Sequence, residues 1–396
     1  MISKRIKSIE ESSTLAMAKK SRDLTLQGKK IINLSLGEPD FNTPTFIKNA
    51  AKKAIDQNYS KYTPVPGYNE LRETISTKFK RDNNLNYNPK QIVCSTGAKQ
   101  SLMQLLLSIL NPGDEIIICA PYWVSYYQMI KFAKAKPIIL KSSLDNNFKI
   151  QTKDLKKYLS KNTKAFLINS PCNPSGAVYS RQELKQLASI LKKYPSTIVI
   201  SDEIYEHINF TGNKNSSIGE FLSTKNQVVT INGLSKGFAM TGWRLGYLGA
   251  PIDIANACNK IQGQFTSGTC SITQRAAIIA LSKNPDFTQK MNIEFKSRRD
   301  MVVKHLSKIR GLKFKIPDGA FYVFIDFSFY FKKYFRKKQL NNNDDLSMFL
   351  LQHAEVATVS GSAFGNKECI RISIASSKSE LKIAMKRIQD ALKQLT

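Results

Sequence analysis

The sequence lacks long apolar runs. No stretch of its 396 residues approaches the ~18 consecutive apolar residues that a membrane-spanning helix needs. The opening residues, MISKRIKSIEESS, have no apolar core of the kind found in secretory signals, and Glu10 and Glu11 argue against a mitochondrial leader. We therefore expect a cytoplasmic protein without a membrane partner.

Paired cysteines and clustered histidines are also missing. The cysteines, at positions 94, 119, 172, 258, 270 and 369, form no C-x-x-C pair, and the histidines, at 207, 305 and 353, are far apart in sequence. This spacing disfavours a disulfide framework and a zinc site. We expect reduced thiols and no bound metal.

Acidic residues are scarce, since 30 Asp and Glu face 60 Lys and Arg and leave a net charge of +30. Such a charge is typical of nucleic-acid-binding proteins. Here the lysines are spread along the whole chain, and the densest cluster, KKYFRKK at 332–338, is short. We expect no nucleic-acid partner, but a basic nucleic-acid-binding protein stays an alternative, which a salt-sensitive gel shift would support.

From about residue 90 onward, short apolar runs alternate with helical stretches. The runs are QIVCS, EIIIC, KPIIL, AFLINS, TIVIS, VVTIN and RLGYLG. Helices are predicted from about residue 98, near 152–161 and near 180–194. This alternation predicts an α/β fold with a mainly parallel sheet that helices cover on both faces.

The pattern changes after a long amphipathic helix predicted at 287–310. AFYVFID, VATVS and IRISIA follow, and a terminal helix is predicted from about residue 378. This order predicts a smaller α+β domain. We assign residues 45–285 to a large domain, and residues 1–44 and 286–396 to the small one.

Polar residues follow several of the predicted strands. Asn173 comes after AFLINS, and Asp202 and Tyr205 come after TIVIS. Lys236 comes after VVTIN, and a helix begins near Ala98 after QIVCS. Ligands of parallel sheets bind beyond these carboxyl ends. Local roles remain open: Asp202 as a helix cap, Tyr205 as a core residue and Asn173 as a turn residue.

This set of side chains suits pyridoxal phosphate. A lysine amine such as Lys236 can condense with its aldehyde, and a carboxylate such as Asp202 can keep its ring nitrogen protonated. Tyr205 and Asn173 can donate to the phenolic oxygen, and Trp123 can stack on the ring.

The phosphate would need cations and free N–H groups. Gly97–Lys99 lie at a predicted helix start, where N–H groups point outward. Arg244, eight positions after Lys236, adds a forked cation.

Eight segments between residues 14 and 375 carry a family resemblance: LSLGEPDFNTP, KYTPVPGYNELR, APYWVSY, NSPCNPSG, SDEIYEH, SKGFAMTGWRLGY, GAFYVF and IRISIA. The chain resembles class I aminotransferases of the fold-type I pyridoxal-phosphate enzymes, especially the bacterial aspartate/prephenate branch. The resemblance implies a seven-stranded sheet in the large domain, a small domain built from both chain termini, and a homodimer.

The resemblance also implies roles for individual residues. Lys236 matches the covalent cofactor lysine, and Asp202 the partner of the ring nitrogen; Tyr205 and Asn173 match contacts to the phenolic oxygen, and Trp123 the stacking aromatic. The phosphate positions are Gly97, Ala98, Lys99, Ser235, Arg244 and, from the partner subunit, Tyr62.

At the substrate end, Arg371 matches the arginine that binds the α-carboxylate, so lysine there should not be conservative. Gly37 matches a backbone contact, and Trp123 and Asn173 also face the substrate. Lys99 and Thr14 match positions that recognise a distal carboxylate. Their alternatives are a solvated lysine and a helix cap.

One departure concerns position 233, where many relatives have a serine and this chain has Gly233. A second is the absence of arginine between Ile261 and Gln274, where one aspartate-specific branch has one.

The expected reaction is ping-pong transamination between an L-amino acid, preferably aspartate, and a 2-oxo acid. Glutamate and 2-oxoglutarate form the other expected pair, with prephenate as a further acceptor. Two enzyme alternatives stay open: an aromatic or neutral amino-acid aminotransferase, and a pyridoxal-phosphate-dependent lyase on the same fold.

Overall fold

The computed structural model describes residues 2–282 and 286–396. Its strands are β1 (Ile32–Asn33), β2 (Ile92–Ser95), β3 (Glu115–Ala120), β4 (Lys136–Lys141), β5 (Thr163–Asn169), β6 (Ile198–Asp202), β7 (Val228–Gly233), β8 (Gly246–Gly249), β9 (Lys313–Phe314), β10 (Tyr322–Asp326), β11 (Tyr334–Phe335), β12 (Lys338–Gln339), β13 (Val356–Ala357), β14 (Val359–Ser360) and β15 (Cys369–Ser373).

Its α-helices are α1 (Lys4–Lys7), α2 (Ser13–Leu26), α3 (Thr45–Asp56), α4 (Asn69–Asn83), α5 (Ala98–Ile109), α6 (Val124–Phe132), α7 (Thr152–Tyr158), α8 (Arg181–Leu191), α9 (Ile252–Phe265), α10 (Ser271–Ser282), α11 (Asp286–Leu306), α12 (Asn343–His353) and α13 (Lys378–Leu392). Short 3₁₀ helices occur at Pro89–Gln91, Ile218–Glu220, Ser328–Tyr330 and Gly361–Phe364.

The large sheet has the strand order β2-β8-β7-β6-β5-β3-β4. All neighbours pair in parallel except at β8, which runs antiparallel to both β2 and β7. The predicted mainly parallel sheet, with its seven strands, is therefore confirmed.

Both faces of this sheet are buried, which explains why the central positions of its strands are mostly apolar. In β3, Ile116 and Ile118 pack into the layer formed with α5, α6 and α9, whereas Ile117 packs into the opposite layer with α7 and α8. Successive side chains of a strand point to opposite faces. A strand that is covered on both faces is therefore a nearly continuous apolar run instead of an alternating one.

Helix α8 shows how local sequence sets an element. Its buried residues Leu184, Leu187, Ala188 and Leu191 follow the i, i+3, i+4, i+7 spacing of one helix face. A capping box at Ser180 starts it. The helix ends at Leu191, earlier than the predicted residue 194, because Pro195 disfavours helical backbone in the residue before it.

A second sheet, β14-β15-β10-β9, is antiparallel and packs against α11 and α13. The N-terminal strand β1 pairs with β13, so residues 32–33 join the C-terminal part of the chain. The predicted small domain contains both chain termini, and the pairing of β1 with β13 is a contact that such a domain requires. The boundaries at 44/45 and 285/286 remain predictions.

The predicted single strand VATVS is wrong in one respect. It is divided at Thr358 into β13, which pairs with β1, and β14, which pairs with β15.

Across the described residues, no helix is both long enough and apolar enough to cross a membrane. The six cysteines carry free thiols.

Candidate active site

A cavity of about 350 Å³ opens at the carboxyl edge of the large sheet. Four of its lining residues follow four different strands: Trp123 after β3, Asn173 after β5, Asp202 at the end of β6 and Lys236 after β7. Parallel strands end at one edge, so residues far apart in sequence meet there. The fold itself therefore assembles the predicted set.

Most of the other predicted site residues line the same cavity. These are Thr14, Gly37, Ala98, Lys99, Tyr205, Ser235, Arg244 and Arg371. Gly97 lies directly beneath the Arg244 guanidinium. Tyr62 is the exception, since its side chain is 97% exposed in this chain and is not brought to the cavity.

Lys236 is partly buried, and its Nζ donates a hydrogen bond to the Gly37 carbonyl oxygen at 2.5 Å. Burial lowers the pKa of Lys236 to about 8; Glu38 opposes the shift, and Arg371 and Arg244 add to it. An amine with this pKa is largely neutral slightly above pH 8, and the neutral form is the nucleophile.

The loop after Lys236 has unusual backbone geometry. Ala239 and Arg244 both have left-handed φ angles, of 52° and 55°. Residues other than glycine rarely adopt this region, and such conformations cluster at functional sites. The loop is held to the N-terminal segment by a bond from the Thr43 hydroxyl to the Ala239 carbonyl oxygen, 2.7 Å long, and by a bond from Thr241 to the Glu38 carboxylate.

Asp202 is a buried carboxylate with only 3% exposure. Its Oδ2 accepts a hydrogen bond from the Tyr126 hydroxyl at 2.5 Å, and its Oδ1 accepts from the Ile204 N–H at 3.2 Å. Burial raises the pKa of Asp202 to about 6, although both hydrogen bonds and Lys236 oppose the rise. The bond from the Ile204 N–H is of the local capping kind that the sequence left open as a role for Asp202. The Asp202 carboxylate nevertheless also lines the cavity.

Arg371 is fully buried beside the cavity. Its Nη1 donates to Asn173 Oδ1 at 2.9 Å and its Nη2 to the Ser35 carbonyl oxygen at 2.5 Å. Its guanidinium stacks on the Tyr322 ring at 4.3 Å. Nε has no hydrogen-bond partner among the described residues. A buried guanidinium with a free donor is suited to bind a carboxylate.

Tyr205 is held in place by Tyr322, the same residue on which Arg371 stacks. Its hydroxyl lies 3.0 Å from the Tyr322 hydroxyl, and burial raises the pKa of Tyr205 well above its ordinary value. The phenol therefore stays protonated and can act as a hydrogen-bond donor. Tyr205 also packs in the hydrophobic core, so its predicted role as a core residue and its predicted contact to the cofactor do not exclude each other.

An anion-binding cup forms where α5 begins. Gly97 precedes the helix with φ of 86° and provides no side-chain cap. A Cβ at Gly97 would lie 2.4 Å from Arg244 Nη2, so only glycine lets that guanidinium approach. Ser235 and Lys99 line the same cavity. Uncapped N–H groups, a hydroxyl and cations together suit a phosphate.

The departure at position 233 has a steric explanation. Gly233 pairs with Gly246 across β7 and β8, and a Cβ at Gly233 would lie 2.9 Å from the Gly246 Cα. A serine side chain therefore requires the two strands to move apart. The missing hydroxyl follows from this close strand pairing.

Lys99 and Thr14 both line the cavity. Lys99 Nζ lies 5.0 Å from the Trp123 ring centroid, and burial and Arg244 lower the pKa of Lys99. Helix α2 is preceded by Ser12, so Thr14 is not its N-cap. The Thr14 hydroxyl is buried and has no partner among the described residues, which leaves it free for a ligand.

Sequence reasoning missed Tyr126 and Tyr322, although both lie in quoted motifs. Tyr126 is three residues after Trp123 in APYWVSY, the spacing that places two side chains on one helix face. Tyr322 lies in GAFYVF, where strand alternation shows which residues share a face but not which strand lies opposite. Glu38 and Thr241 were also missed, because their contact joins segments about 200 residues apart.

A family model described as aminotransferase class I and II matches residues 29–388. A bifunctional aspartate aminotransferase and glutamate/aspartate-prephenate aminotransferase of Petunia hybrida is 44% identical, over 99% of this chain and 82% of that protein. An aspartate/prephenate aminotransferase of Nitrosomonas europaea is 41% identical over 99% of both chains.

Solved structures agree with these relatives. The aspartate aminotransferase of Rhizobium meliloti superposes with a TM-score of 0.96, with 38% identity over 100% of both chains. The Thermus thermophilus aspartate aminotransferase, solved with maleate, gives a TM-score of 0.93, with 34% identity over 99% of both chains.

Proposed function

Because this chain belongs to the class I and II aminotransferases, we propose that it binds pyridoxal 5′-phosphate and transfers the amino group of L-aspartate to a 2-oxo acid. A single observation carries this proposal. One cavity presents the buried Asp202 carboxylate, the Lys236 amine with its lowered pKa, and the Arg371 guanidinium with a free donor.

The residues present suit the cofactor in two respects. Asp202 lacks a cationic partner within hydrogen-bond distance among the described residues, and a protonated ring nitrogen would supply one. The uncapped start of α5, with Gly97, Ser235 and Arg244, would hold the phosphate. Trp123 would cover the ring, and Tyr205 and Asn173 would contact its phenolic oxygen.

When bound, the cofactor supplies an aldehyde that condenses with amines and a ring that withdraws electrons from the substrate α-carbon. The chain contributes the proton transfers and the orientation. Lys236 Nζ, deprotonated more easily than an ordinary lysine, would accept the proton from the substrate α-carbon. Asp202 would lie beside the ring nitrogen, and its carboxylate would favour the protonated form of that nitrogen.

Substrate orientation would come from Arg371 and its supports. The guanidinium binds the α-carboxylate, while stacking on Tyr322 and bonding to Asn173 fix its plane. The Gly37 carbonyl oxygen, which accepts from Lys236 in this structure, lies at the same end of the cavity. These contacts keep the α-hydrogen directed toward the Lys236 amine.

The preference for aspartate rests on Lys99 and Thr14. An ammonium and an unpartnered hydroxyl that line the cavity can bind a second carboxylate. Relatives are named aspartate or aspartate/prephenate aminotransferases, and one structural neighbour was solved with maleate, which carries two carboxylates as aspartate does. Glutamate, 2-oxoglutarate and prephenate each carry two carboxylates and are the further candidates.

We also propose a cytoplasmic homodimer in which Tyr62 reaches the phosphate of the neighbouring subunit. The near-complete exposure of Tyr62 in the single chain supports this assignment. A side chain as exposed as Tyr62 is free to contact a second subunit.

The test is a single-turnover reaction of the cofactor-saturated protein with aspartate, glutamate, phenylalanine or alanine. We expect about one 2-oxo acid per subunit and no ammonia, and we expect the two acidic substrates to react at least about tenfold faster than the others. Lys236→Ala should form no product. Lys99→Met should slow the reaction of aspartate more than that of alanine.

Other outcomes identify the alternatives. Stoichiometric ammonia would indicate a lyase, and faster turnover of phenylalanine or alanine would indicate an aromatic or neutral aminotransferase. A protein that stays colourless when saturated with the cofactor would exclude the proposed function.

A further inference from the structure

Behind the turn that carries Asp202 and Tyr205 lies a group of polar and charged side chains that do not line the cavity. This buried ion cluster consists of the buried Lys78, Asn83, Glu203 and Glu206 and of the partly buried His207. Lys78 and Asn83 come from α4, and the other three come from the turn after β6. Buried charges are costly, so a complete network of this kind calls for an explanation.

Lys78 is the centre of the cluster. Its side chain is 1% exposed, and its ammonium bonds to the Glu206 carboxylate and, at 2.7 Å, to Asn83 Oδ1. Asp82 lies 4.0 Å away. Burial by itself would raise the pKa of Glu206, but Lys78 and His207 lower it to about 2. The Lys78–Glu206 pair is therefore an ion pair at neutral pH.

The second carboxylate, Glu203, is held by neutral donors. Asn83 Nδ2 donates to Glu203 Oε2 at 3.0 Å and to Glu206 Oε2 at 2.7 Å, so one amide joins the two carboxylates. Ser201 and Ser217 donate to Glu203 Oε1. Burial raises the pKa of Glu203 to about 7. Each of its oxygens has a partner, which fixes the side chain in one orientation.

The cluster adjoins two parts of the site. Glu203 directly follows Asp202, and Glu206 directly follows Tyr205, so fixing these glutamates restrains the backbone that carries both site residues. The Glu206 N–H also donates to the Glu203 carbonyl oxygen at 2.9 Å. The cluster also contacts the loop after Lys236. The His207 ring lies so close to Gly237 that a Cβ there would be 2.5 Å from His207 Cδ2.

We propose that Lys78, acting through Asn83 and the two glutamates, is a positioning residue that fixes Asp202, Tyr205 and the Lys236 loop from behind. This inference rests on the proposed function, because the residues that it positions are those assigned to the cofactor. A buried ion pair is not required for stability, since apolar replacements of such pairs are often neutral or stabilising. A pair retained directly beneath the site is better explained by the geometry that it imposes.

The experiment compares Lys78→Met with Lys80→Met, the same change two residues away on the exposed face of α4. Binding of pyridoxal 5′-phosphate is measured by equilibrium titration, and the pH titration of the bound cofactor's absorbance is recorded. We expect Lys78→Met to weaken cofactor binding about tenfold to a hundredfold and to shift the absorbance titration. Lys80→Met should match the wild type in both.

Lys78→Met leaves Glu206 without its cation and could unfold the chain, so the double variant Lys78→Met/Glu206→Gln is measured beside it. Ser217→Ala, which removes one hydroxyl donor from Glu203, is a milder variant. If Lys78 positions the site, the double variant regains wild-type thermal stability and still binds the cofactor weakly. Ser217→Ala should weaken binding several-fold.

Two results would overturn the positioning role. One is wild-type affinity and absorbance in folded Lys78→Met, and the other is full recovery of affinity in the double variant, which would make the effect one of stability alone. A wild-type protein that fails to bind the cofactor would instead remove the proposed function. The two failures are therefore distinguishable.

Discussion

At the residue scale, the site depends on two ionisable groups whose charged forms burial disfavours. Burial lowers the pKa of Lys236 to about 8 and raises that of Asp202 to about 6. Both shifts reduce the stability of the folded protein at pH 7, because each charge is held where water is scarce. A functional site retains such groups in spite of this cost.

The Lys236 shift predicts a specific pH dependence for the cofactor-free protein. The unfolded chain keeps this proton up to an ordinary pKa of 10.5, and the folded chain keeps it only to about 8. Between these values the unfolded state binds more protons, so the Lys236 contribution to stability rises with pH. Lys236→Met should therefore stabilise the protein at pH 7 by up to about 3 kcal/mol, and the gain should shrink toward pH 10.5.

Chemical denaturation of both cofactor-free proteins across this pH range measures the difference in unfolding free energy. Lys260→Met, at an exposed position on α9, is the matched control, and its difference from the wild type should not vary with pH. A gain for Lys236→Met that stays constant from pH 7 to 10.5 would contradict the lowered pKa.

At the element scale, the anion-binding cup depends on how closely β8 approaches the start of α5. A Cβ at Gly246 would lie 2.1 Å from the Ala98 backbone nitrogen, so glycine is required for this contact. The strand pairing of β7 and β8 holds Gly246 in place from the other side. The cup is therefore formed by backbone packing as much as by its side chains.

Gly246→Ala is expected to displace the N-terminus of α5 and weaken binding of pyridoxal 5′-phosphate at least about tenfold. Overpacking should also reduce the unfolding free energy by about 1–3 kcal/mol. Gly242→Ala is the control, because nothing lies within 4 Å of a Cβ there. Cofactor titration and denaturation of both variants are the measurements, and equal cofactor affinity in the two would show that the close approach is unimportant.

At the scale of the whole molecule, apolar side chains remain exposed on the single chain. Phe46 and Ile55 of α3 and Ile279 of α10, two helices that pack together, are 40%, 57% and 46% exposed. Tyr62 is 97% exposed. These side chains are available for burial between the two subunits of the proposed homodimer.

A subunit-mixing experiment tests the contribution of Tyr62 across that interface. Tyr62→Ala and Lys236→Ala are each expected to be poorly active at limiting cofactor. After unfolding and joint refolding in equal amounts, half of the dimers are hybrids, and each hybrid has one intact site if Tyr62 acts on the neighbouring subunit. The mixture should then recover about a quarter of the wild-type rate. A rate equal to the mean of the two variants would place Tyr62 in its own subunit's site.

Much of the fold could be predicted from the local sequence alone. Strands buried on both faces are mostly apolar, so runs such as EIIIC identified the sheet, and their alternation with helices predicted that it is mainly parallel. Because parallel strands end at one edge, the positions of Asn173, Asp202 and Lys236 after their strands predicted a shared cavity. These inferences need only the order of residues along the chain.

Contacts between distant segments required the tertiary structure. The bond from Tyr126 to Asp202, the stacking of Tyr322 on Arg371, and the Lys78–Glu206 pair each join residues 49 to 128 positions apart. The lowered pKa of Lys236 likewise depends on burial that the segment itself does not specify. Periodicity along a chain shows which residues share a face, but only the packing of elements decides which face lies opposite, and the charges and hydrogen bonds of this site arise there.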